Sequence, residues 1–185
     1  MVDLFNYTRR TSSVAHVGEL DLGGNNPIRI QSMTTTNTND TEACVRQAEE
    51  IIKAGGELVR FTTQGSREAE NMKNINAGIR ADGFTTPLVA DIHFNPNVAD
   101  VAALYCEKVR INPGNYVDPA RKFIKQEYTD EEYAHELQKI EERFVPFLNI
   151  CKENHTAIRI GVNHGSLSDR IRNRYGDTPE GIVES

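Results

Sequence analysis

A chain of 185 residues, 38% hydrophobic and 26% charged, is long enough for one real core and is not composed like a disordered protein. Its apolar runs fall short of the ~18 residues of a membrane-spanning helix, and its net charge of −6 argues against nucleic acid, whose phosphates demand surplus Lys and Arg. The N-terminus "MVDLFNYTRRTSSVAH" has neither the apolar stretch of a secretory signal nor the look of a transit peptide, so a soluble protein of the bacterial cytoplasm is expected.

In chain order, "VAHVGELDLGG" reads as a short hairpin turning near Gly18. Strand-like segments follow at "IRIQSM" (28–33), "LVRFTT" (58–63), "PLVADIH" (87–93), "KVRIN" (108–112) and "AIRIGVN" (157–163). Helical patterns separate them over Asp40–Ala54, Ser66–Ala81 and Asn97–Tyr105. Strand and helix thus alternate about five times, as in a parallel sheet with crossover helices. The fourth gap is the long one, 44 residues between Asn112 and Ala157. It predicts a helical insertion over about 116–155, with Thr129 and Glu132 as a capping box and a stripe of Tyr133, Leu137, Ile140 and Phe144. Pro146 is expected to kink that helix or to start a second one. Thr178 and Pro179 read as a further helix start close to Ser185, which suggests a piece of something longer.

The strands alternate cleanly. Val59 and Phe61, Leu88, Ala90 and Ile92, Val109 and Ile111, and Ile158, Ile160 and Val162 form one apolar set. Gln31, Arg60 and Thr62, Asp91 and His93, Lys108, Arg110 and Asn112, and Arg159 and Asn163 form the other. An open sheet covered on both sides would be apolar on both faces. One apolar face and one polar face suit an α/β fold of the (β/α)8 TIM type, here a partial barrel whose bottom the hairpin closes. With the strands in register, Gln31, Arg60, Asp91, Arg110 and Arg159 make one layer near the mouth, of formal charge +2. Thr62, His93, Asn112 and Asn163 lie one step nearer the opening. Three guanidiniums facing one another call for an anion, and their forks match phosphate oxygens. His93 can exchange a proton near neutral pH. "NHGSLSD" adds a helix start, with Ser166 as N-cap and free amides suited to phosphate. The bland alternative is a buried Asp91–Arg network that only holds the sheet together.

Cys44, Cys106 and Cys151 lie far apart on apolar helical stripes and read as small buried hydrophobes rather than metal ligands.

"PIRIQSMTTTNTND", "GGELVRFTT", "PLVADIHF", "KVRINPGN" and "RIGVNHGSLSDR" resemble, in order, the barrel motifs of the 4-hydroxy-3-methylbut-2-en-1-yl diphosphate synthase family. "KQEYTDEEYAHELQKIEERFVPF" resembles its long, three-domain form. The resemblance implies reductive opening of 2-C-methyl-D-erythritol 2,4-cyclodiphosphate to the linear allylic diphosphate, a step of isoprenoid biosynthesis. It also implies a [4Fe-4S] cluster in the whole enzyme, ferredoxin or flavodoxin as electron donor, and a homodimer. Substrate binding would fall to Arg60, Arg110, Asn112, Arg159 and Asn163, and catalysis to Asp91 and His93. The cluster ligands and the remaining barrel strands would lie downstream, so residues 1–185 alone are expected to be inactive and free of the cluster. The competing readings are an iron-free barrel enzyme of the dihydropteroate-synthase kind and a non-catalytic anion-binding module.

Overall fold

The computed structural model describes residues 10–93, 95–118 and 127–185. The expected insertion therefore lies partly outside the described residues, over 119–126.

The hairpin forms as expected, β1 (Val14–Val17) pairing antiparallel with β2 (Leu20–Gly23). Gly18 takes φ +56° at the turn, where a side chain would strain. Five strands then make one parallel sheet in sequence order: β3 (Gln31–Met33), β4 (Leu58–Thr63), β5 (Leu88–Ile92), β6 (Lys108–Ile111) and β7 (Ala157–Ile160). Between them run α1 (Thr41–Lys53), α2 (Ser66–Ala81), α3 (Pro96–Ala102) and α4 (Asp130–Glu153), and after them α5 (Asp169–Tyr175) and α6 (Pro179–Glu184).

Local chemistry explains the boundaries. Asp40 caps α1 by accepting from the Ala43 amide at 3.0 Å, and Asn95 does the same for α3. The Thr129–Glu132 capping box forms with both of its reciprocal bonds. Strand β3 is shorter than the predicted 28–33. The Ile30 amide turns to the Glu57 carboxylate at 2.9 Å instead of to a strand, and Ile28 is almost fully exposed. Pro146 does not start a second helix, since α4 is continuous through it. Phe144 before the proline and Phe147 and Cys151 after it pack on the same core, so tertiary contacts hold both halves in place.

The two faces of the sheet separate as the alternation requires. Val59, Phe61, Leu88, Ala90, Ile92, Val109 and Ile111 are buried beneath α1–α4 in the main core, but on β7 only Ile158 joins them, partly buried, while Ile160 at the sheet edge is exposed and Val162 is outside that core. On the opposite face Leu58, Val89 and the partly buried Ala157 meet Val17, Leu20 and Leu22 of the hairpin. The hairpin therefore plugs the N-terminal end of the inward face. The polar ends of the strands are left at the other, C-terminal end, where barrel enzymes carry their sites. Cys44, Cys106 and Cys151 are free thiols within the main core, although Cys106 follows α3 rather than lying on it.

Candidate active site

Strand pairing corrects the expected layer. Asp91 stands level with Thr62 on one side and with Arg110 on the other, and Arg110 is level with Arg159. Arg60 sits one step lower, level with Met33, Val89 and Lys108, and Gln31 lies lower still, opposite Leu58. The strands are staggered, as closure of a barrel demands, so residues aligned by eye do not share one level.

Arg60 nevertheless reaches the upper level. Its Nη2 donates to Asp91 Oδ2, and Arg110 Nη1 donates to Oδ1 of the same carboxylate at 3.2 Å. His93 Nε2 lies 3.2 Å from Asp91 Oδ2. Asp91 is 1% exposed and so serves as a buried hub for two guanidiniums and an imidazole. Arg110 is gripped a second time, its Nη2 donating to the Gly161 carbonyl at 2.7 Å. Arg159 is exposed and has no ion-pair partner among the described residues. Arg60 Nε is buried without a hydrogen-bond partner. With Lys108 included, four cations face one carboxylate, and the formal charge of the face is +3. The internal-network reading thus accounts for Arg60 and Arg110 and leaves Arg159 and Lys108 unbalanced.

The two asparagines end their strands by turning back on the chain. Asn112 Oδ1 accepts from the Gly114 amide at 3.1 Å, and Asn163 Oδ1 accepts from the Gly165 amide at 2.9 Å. Each caps a single 3-10 turn, at Pro113–Asn115 and at His164–Ser166. Asn112 Nδ2 also donates to Ser166 Oγ at 2.8 Å, which fastens the two mouth loops together. The helix start expected at Ser166 moves to Ser168, which caps α5. The amides of Gly165, Ser166 and Leu167 are taken by Asn163 and His164, so that loop does not offer the free donors anticipated for phosphate.

Three features escaped the sequence reading. Gly161 lies against Arg110 so closely that a Cβ would overlap Nε, and a glycine within the strand-like segment 157–163 was the available signal. Gly114 makes a similar approach to the Ser166 carbonyl. Behind the loops, Arg170 and Asp118 form a buried ion pair at 3.0 Å, with Arg170 also stacked 4.8 Å from the Tyr133 ring. Nothing in the spacing of Asp118 and Arg170 pointed to that pair.

An iron–sulfur cluster needs several thiolates converging on one point. Burial pushes the Cys44 and Cys106 thiols up, and burial followed by Asp100 pushes Cys151 up to about 12. The three thiols lie under different helices of the core, and among the described residues no group of three or more potential ligands could hold a metal ion. These residues do not fit a cluster.

The family model described as the GcpE TIM-barrel domain matches residues 11–185. A relative from Phocaeicola vulgatus, named 4-hydroxy-3-methylbut-2-en-1-yl diphosphate synthase (flavodoxin), is 76% identical over 184 residues. It matches 100% of this chain and 30% of its own length. Relatives of the same name from Bacteroides thetaiotaomicron and Akkermansia muciniphila are 74% and 54% identical, covering 30% and 31% of their lengths. This chain thus spans about a third of the curated relatives it matches. Among solved structures, Burkholderia cenocepacia dihydropteroate synthase complexed with 7,8-dihydropteroate has a TM-score of 0.47 at 15% identity. The match covers 85% of this chain and 65% of that one. The motif order, the parallel sheet with its plugged base and the match over 11–185 agree: the chain belongs to the GcpE TIM-barrel family, that of the 4-hydroxy-3-methylbut-2-en-1-yl diphosphate synthases.

Proposed function

We propose that this chain is the substrate-binding part of an enzyme that reductively opens 2-C-methyl-D-erythritol 2,4-cyclodiphosphate to the linear allylic diphosphate. The observation that carries the reading is the uncompensated positive face at the C-terminal ends of the strands, built around one buried carboxylate. Asp91 holds Arg60 and Arg110 at fixed angles, so their remaining N–H groups are aimed before the diphosphate arrives. Arg159 supplies the third fork from the neighbouring strand, and Asn112 and Asn163 shape the rim. His93, against Asp91, is the group placed to hold or pass a proton at Nε2.

The reaction consumes two electrons and releases water. A [4Fe-4S] cluster supplies those electrons when bound, on ligands outside these 185 residues. The relatives' printed names support flavodoxin as the donor, with ferredoxin as the alternative. A homodimer working in the bacterial cytoplasm completes the reading, and among the described residues no helix is long and apolar enough to cross a membrane.

The test is iron and acid-labile sulfide in the full-length protein, purified anaerobically, alongside calorimetry with the cyclodiphosphate. About four irons per chain, together with saturable binding that Arg110→Lys weakens, is the expected outcome. Substrate binding by an iron-free protein would remove the redox chemistry and favour the dihydropteroate-synthase-like alternative. No binding would remove the site.

A further inference from the structure

Lys108 is out of place by the rules of its own level. It opens β6, and its strand neighbours at that height are Val89 and Ala157, both part of the apolar floor that the hairpin covers. Paired residues of neighbouring strands share a face, so Lys108 rises from that floor into the inward face. Arg60 is level with it two strands away, and Arg159 stands one step above it on the adjacent strand.

A lysine used only as filler lays its stem on apolar surface and sends its ammonium to water or to a carboxylate. Lys108 is half-buried and has no ion-pair partner among the described residues. The one carboxylate within the face is committed, one oxygen to Arg110 and the other to Arg60 and His93. Burial lowers the Lys108 pKa, and the charges of Arg159 and Arg60 lower it further. Free protein therefore holds this ammonium at a cost that an anion would offset.

The cations also form two tiers. Arg110 and Arg159 make the upper one, where the Arg60 guanidinium also ends on Asp91, and Lys108 alone is rooted in the lower, two residues apart along the strands, or about 6.6 Å of backbone. One phosphate can satisfy one tier, whereas two linked phosphates can bridge both. We propose that Lys108 is the floor contact of the anion site, binding the deeper phosphate of a diphosphate and so favouring diphosphates over monophosphates. This rests on the anion site of the proposed function and assigns that site a further substrate-positioning residue.

The experiment is calorimetry on the full-length protein with inorganic pyrophosphate and with orthophosphate. Lys108→Met keeps the stem and removes the charge, and Lys108→Gln serves if the methionine variant does not fold by circular dichroism. Pyrophosphate affinity should fall about tenfold or more, as for a lost charge-assisted hydrogen bond, while orthophosphate affinity changes less than about threefold. Equal losses for both ligands would reduce Lys108 to background charge and overturn the assignment, as would unchanged pyrophosphate binding. If wild-type protein binds neither ligand, the anion site itself fails, and the assignment fails with it.

Discussion

The site turns on how one buried carboxylate is shared. Asp91 cannot neutralise four cations, but it fixes two guanidiniums and an imidazole, and this is how a surplus of charge becomes a directed one. Arg110 depends as much on a residue with no side chain. Gly161 leaves the volume that Arg110 Nε occupies, while its carbonyl accepts a hydrogen bond from Nη2. Gly161→Ala is therefore expected to dislodge Arg110 from both anchors. Diphosphate binding should weaken by about 1.5–3 kcal/mol, the range for hydrogen bonds to charged groups, with little change in helical content. Calorimetry beside circular dichroism reads both, and full affinity in the alanine variant would show that Arg110 does not need this seat.

Among the elements, α4 carries a proline within its length and is attached at both ends. Its proline is tolerated because Phe144, Phe147 and Cys151 pack across it, with the Tyr116 ring in edge contact 5.9 Å from Phe144. Its N-terminal turn is tied to the end of the chain, where Tyr133 donates to Glu184 at 2.8 Å and Arg174 pairs with Asp130. Arg170 of α5 lies beneath Tyr133 and pairs with Asp118, both members almost wholly buried. Removing one member strands the other charge. Asp118→Ala should therefore cost about 3–5 kcal/mol in urea denaturation of the full-length protein, whereas the paired change Asp118→Leu with Arg170→Met should recover most of it. A double variant as unstable as the single would mean that the pair is needed for more than its charge.

At the scale of the molecule, the sheet is open among the described residues. β3 and β7 each have a parallel neighbour on one side only, and Ile28, Ile30 and Ile160 are exposed near those edges. Unpaired edges flanked by apolar side chains recruit other strands. Residues 1–185 prepared alone should therefore self-associate with rising concentration, and sedimentation that stays monomeric throughout would count against this.

The sequence by itself determined the elements, their order and their faces. Period-two alternation separated the apolar residues under the helices from the polar ones inside, because strand side chains cannot choose their face independently. Capping chemistry placed Thr129 and Thr178 correctly, because a cap is read by amides only two or three residues away. Levels across the sheet were different. Arg60 and Gln31 dropped out of the expected layer because stagger between strands is set by how they pair across the sheet and by no local signal. The loop amides at Gly165 and Ser166 proved occupied because Asn163 beside them competes for the same donors. The Asp118–Arg170 pair, the seat of Arg110 on Gly161 and the position of Lys108 above an apolar floor each join residues distant in the chain. Only the tertiary structure brings such residues together, because the free energy of those contacts exists only once the strands are assembled.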